Sequence, residues 1–68
     1  MTEADEQVLR EKLAELLQEH RDLDVAIGAM AEQGVTDQLT IGRLKKRKLQ
    51  LKDQIARIED ALLPDIIA

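Results

Sequence analysis

The one histidine in the chain, His20, has Asp24 four residues on and Glu19 beside it. On a helix this spacing puts Asp24 one turn from the ring, where a carboxylate can hold an imidazole in one orientation, as in catalytic or metal-bound histidines. A metal site needs three or four ligands, and a nucleophilic site needs a hydroxyl, thiol or amine set against the base. Cysteine and serine are missing from the sequence, and neither constellation gathers around His20. His20 therefore reads as a polar side chain that fixes the register of two packed helices. Buried in its neutral form, it would weaken that packing when acid protonates it. No catalytic residue, cofactor or metal is expected.

The densest charge lies at Arg43, Lys45, Lys46, Arg47, Lys48 and Lys52, six cations in ten positions. Such a run can bind the phosphates of a nucleic acid or an anionic membrane. Against this, the chain has no aromatic residue to stack a base and a net charge of −4, and it carries no recognition motif. Glu11, Glu15, Glu19, Asp22 and Asp24 in the first half are natural partners for the cations. Pairing between halves is the favoured reading. In that reading Lys48 buries its stem and sends its amine outward. Binding of a polyanion by Arg43, Lys45, Lys46, Arg47 and Lys52 is the alternative. Carboxylate pairs could do acid–base chemistry only if desolvated, and a narrow helical rod has no pocket for that. An enzyme is not expected, and neither is a small-molecule substrate.

Two apolar stripes must position these groups. Leu9, Leu13, Leu16, His20, Leu23, Ile27 and Met30 form the first; Ile41, Leu44, Lys48, Leu51, Ile55, Ile58 and Leu62 form the second. Steps of three and four residues place each stripe on one side of a helix. The stripes are separated by Gly34-Val35-Thr36-Asp37. The expected fold class is all-α, an antiparallel two-helix hairpin of coiled-coil type, completed by self-association into a helical bundle. One hairpin spans 1–68, with helix 1 over about 3–33, a turn at 34–37, helix 2 over about 38–63 and a tail at 64–68. Thr2 is suited to cap the first helix, Gly34 to take a left-handed C-terminal conformation, Thr36 or Asp37 to cap the second helix, and Pro64 to end it. Folding at residues 35 and 36 pairs positions whose numbers sum to about 71, so every stripe residue meets a stripe residue. The same register brings Arg10 towards Glu59 and Asp24 towards Lys45.

Composition agrees. The absence of Phe, Trp and Tyr leaves the core to aliphatic side chains, and 35% charged residues favour a solvated helical surface over a sheet. The start of the chain is acidic and no run is long enough to cross a bilayer, so neither a secretory signal nor a membrane span is expected. With no cysteine the protein suits a reducing compartment, and a cytoplasmic location is expected. A chain of 68 residues sits near the lower limit for a self-sufficient core.

More apolar surface is present than one seam consumes. Gly42, Leu49, Ala56 and Leu63 form a second seven-residue line, and Val8, Leu17 and Val25 also fall outside the seam. Leftover apolar lines call for a partner, a second copy or another protein. Leu49, Ala56 and Leu63 are the leading candidates for that contact, followed by Leu17 and Val25. Gly28 and Gly42, inside helices, are either tolerated at about 1 kcal/mol each or mark close approach by another helix.

The segments Leu17-Gln18-Glu19-His20-Arg21-Asp22-Leu23-Asp24 and Leu44-Lys45-Lys46-Arg47-Lys48-Leu49-Gln50-Leu51-Lys52-Asp53-Gln54-Ile55 resemble the YdcH-like family of small bacterial proteins. The second carries that family's Leu-Lys-Lys-x-Lys-Leu-x-Leu-Lys-Asp-x-Ile run, and the first its Glu-His-x-x-Leu-Asp element. With Ile27, Asp37 and Ile41 the likeness covers most of residues 13 to 58. The resemblance implies a helical hairpin in a bacterial cytoplasm. It implies no activity and assigns no residue a role, because the family's function is uncharacterised. The expected function is that of a non-enzymatic interaction module, with nucleic-acid binding as the alternative.

Overall fold

In the computed structural model, residues 2–34 and 37–62 are described. They form two α-helices, α1 over Glu3–Glu32 and α2 over Gln38–Leu62, which pack along their length as an antiparallel hairpin. The 30 residues of α1 rise about 45 Å at 1.5 Å each, matching a molecule 47 Å long and 25 by 17 Å across.

Both starts are held by side chains. Thr2 and Asp5 form a reciprocal capping box: the Asp5 amide donates to Thr2 Oγ1 at 3.1 Å and the Thr2 amide to Asp5 at 3.4 Å. Glu3, Asp5 and Glu6 put negative charge in the first turn, where the helix dipole favours it. At the far end Gln33 is the C-cap, and Gly34 turns the chain away at φ +70°, a region that side-chain-bearing residues avoid. Asp37 caps α2, accepting from the amides of Leu39 and Thr40 and from the Thr40 hydroxyl. Thr36, Leu63, Pro64 and the tail lie outside the described residues.

All fourteen stripe positions are shielded by packing: Leu16, Leu51 and Ile55 are buried and the other eleven are half-buried, as are Glu6 and Ala29 off the stripes. Leu51 is wholly inaccessible, and Leu13, Leu23 and Ile58 pack around the three-residue centre. A pair of helices can close only one side of each. Most of the remaining surface therefore stays open, including Val8, Leu17, Val25, Leu39 and Leu49.

The ion pairs depart from the expected ones in detail. Asp24 meets Lys48 rather than Lys45, and Arg10 meets Glu6 on its own helix rather than Glu59. Lys48 is a half-buried stripe residue, so its stem carries the amine to the hairpin edge where it meets Asp24. Arg10 finds Glu6 one turn back, a shorter reach than the gap to the other helix.

Candidate interaction face

The two edges of the seam differ. On one, Glu19 and Arg47 join across the helices, with the guanidinium donating to Oε2 at 2.7 and 3.1 Å. The other edge opens into a groove of about 620 Å³ lined by Leu17 and His20 from α1 and by Lys45, Lys48, Leu49, Lys52, Ile55 and Glu59 from α2. Leu17 also lines a smaller hollow on α1, with Ala14, Gln18 and Arg21.

Helical spacing explains why these residues share a face. Arg10, Ala14, Leu17, Arg21, Asp24 and Gly28 recur at steps of three and four along α1, as do Gly42, Lys45, Leu49, Lys52, Ala56 and Glu59 along α2. Each row lies about a quarter-turn from its own seam. When the seam closes, the rows stand side by side. Leu49 is 66% exposed and Leu17 48% exposed, and the groove puts both in one place. Ala56 lies a seven-residue repeat from Leu49 and is exposed. Val25 is open to solvent but falls outside the groove, and Leu63 lies beyond the described residues. Leu39, also exposed, escaped the sequence reading because it belongs to neither apolar line.

Neither internal glycine is approached within the hairpin. Nothing lies within 4 Å of a side-chain carbon built at Gly28 or Gly42. Any close helix at these positions would have to come from another molecule.

His20 is half-buried at the rim of the groove, with Lys45, Lys48 and Lys52 among its lining. Among the described residues no three metal-ligating side chains cluster. Lys48 beside Asp24, by hydrogen bond and by charge, holds the Asp24 carboxyl below the usual carboxylate range. Hydrogen bonds from Thr40, then Leu39, do the same for Asp37. Of the cations suited to a polyanion, Arg47 is committed to Glu19, whereas Arg43, Lys45, Lys46 and Lys52 have no ion-pair partner among the described residues. No described helix is long and apolar enough to cross a membrane.

A family model described as "Protein of unknown function (DUF465)" matches residues 13–59. No curated protein and no solved structure matches the chain.

Proposed function

The chain belongs to the DUF465 family, which includes the YdcH-like proteins and has no known function, and we propose that it works as a non-enzymatic helical interaction module. It docks on protein through the open face carrying Leu17, Leu49 and Ala56. The observation that carries this reading is the groove on the Asp24–Lys48 side of the seam, which gathers the exposed side chains of Leu17 and Leu49 from the two helices in one place. Exposed leucines gathered this way gain from burial, about 1.5 to 3 kcal/mol each when fully covered. The lack of cysteine fits a reducing compartment such as a bacterial cytoplasm.

The test is affinity capture with the tagged wild-type chain and with Leu49→Glu, both checked for helicity by circular dichroism. Wild type should retain a protein, its own untagged copy or another, that Leu49→Glu releases. An identical captured set from both chains contradicts the reading. Nuclease treatment separates the second reading, favoured by Arg43, Lys45, Lys46 and Lys52, which have no ion-pair partner among the described residues: capture that vanishes with nuclease assigns the surface to nucleic acid.

A further inference from the structure

Resting on the open-face reading, we infer that the occupant of this face is a second copy of the chain, and that two hairpins stack into an antiparallel four-helix bundle with its two-fold axis along the rods. Such an axis keeps every residue at its own height. Each α1 then lies antiparallel to the partner's α2 close to the register of the hairpin itself, and the facing rows meet at residues whose numbers sum to about 69 or 70. The two rows of the face can be compared position by position.

They complement each other along that register. Arg10 falls opposite Glu59, Ala14 opposite Ala56, Asp24 opposite Lys45 and Gly28 opposite Gly42. Charge meets opposite charge at two levels, and small residue meets small residue at two others. Between them Leu17 and Leu49 lie at the levels of Lys52 and Arg21, whose alkyl stems can cover them. Lys45, Lys52 and Glu59 have no ion-pair partner within the described part of the hairpin. Asp24 holds Lys48 through one oxygen, Oδ1, which leaves Oδ2 for a second cation. The open space over Gly28 and Gly42 admits a helix backbone at close range.

The whole-chain charge points the same way. α1 carries nine acidic and three basic residues, α2 seven basic and three acidic. An arrangement that puts α1 beside the partner's α2 makes every neighbouring pair of helices opposite in net charge, which the alternative pairing of like helices does not. The contact also closes on itself, using the same face from both copies, so it ends at a dimer rather than a filament.

Sedimentation equilibrium on the full chain tests this. Wild type should sediment at twice its 7.7 kDa chain mass. Gly42→Leu should keep its helicity, because nothing in the hairpin obstructs the new side chain, yet weaken the dimer at least about tenfold by blocking close approach. Arg10→Glu and Glu59→Arg should each dissociate the dimer, and an equimolar mixture of the two should restore it, since each then meets an opposite charge across the interface. A role confined to one hairpin cannot be rescued by mixing. A monomeric wild type overturns the second copy as occupant, while the capture experiment independently judges the open face. A dimer indifferent to Gly42→Leu, or variants that mixing does not rescue, overturns the arrangement.

Discussion

Lys48 shows how one residue can serve both seam and surface. Its position in the stripe is that of a leucine, but its amine leaves the seam to hold Asp24. That outward path was legible from the pattern, because a lysine stem is apolar and long enough to cross the edge. The identity of its partner was not. Asp24 is reachable from both Lys45 and Lys48, and the choice depends on side-chain reach, which residue spacing does not encode. The contact has a pH signature. The Asp24 carboxyl lies below its ordinary range when folded, so its contribution is complete above the unfolded value of about 3.9 and disappears as pH falls through the lower folded value. Asp24→Asn should lower the melting temperature at pH 7 and flatten its decline between about pH 5 and pH 2. A melting curve with the same acid dependence as wild type contradicts the pairing.

At the scale of the helices, stripes and caps carried nearly all the information. Three-and-four spacing named fourteen of the sixteen described residues that packing shields, missing Glu6 and Ala29, and threonine, glycine and aspartate marked the ends visible in the structure. Asp37 accepts three hydrogen bonds at the start of α2. Asp37→Ala should therefore lower the urea midpoint of unfolding. Leu51 is the one fully inaccessible side chain among the described residues, so Leu51→Ala should cost about 2 to 5 kcal/mol. In a chain this small that loss should abolish most helicity at room temperature, as circular dichroism would show. Retained wild-type helicity would mean that the centre of the seam lies elsewhere. Spacing did not reveal which edge of the seam carries the groove. It places Glu19 and Arg47 on one edge and Leu17 and Lys52 on the other, but closure depends on which side chains reach across.

For the molecule as a whole, acidic α1 against basic α2 first suggested pairing between halves, and the structure satisfies this only in part. Glu19–Arg47 and Asp24–Lys48 span the helices, while Arg10, Lys12 and Arg57 pair within their own helix. Much of the charge asymmetry therefore remains on the outside, together with Leu17 and Leu49. The candidate residues Leu49, Ala56 and Leu17 could be named from the sequence because they fall off the seam. Their convergence on one face required the hairpin register, and Val25 shows that lying off the seam does not suffice.

If a second hairpin covers the open face, folding and association are coupled, and thermal melting over a hundredfold range of protein concentration reads that coupling most directly. Association that stabilises the folded state must make the midpoint rise with concentration. The midpoint should rise in this way for wild type and stay fixed for Leu49→Glu. A wild-type midpoint that stays constant across the whole range would contradict a second hairpin on that face.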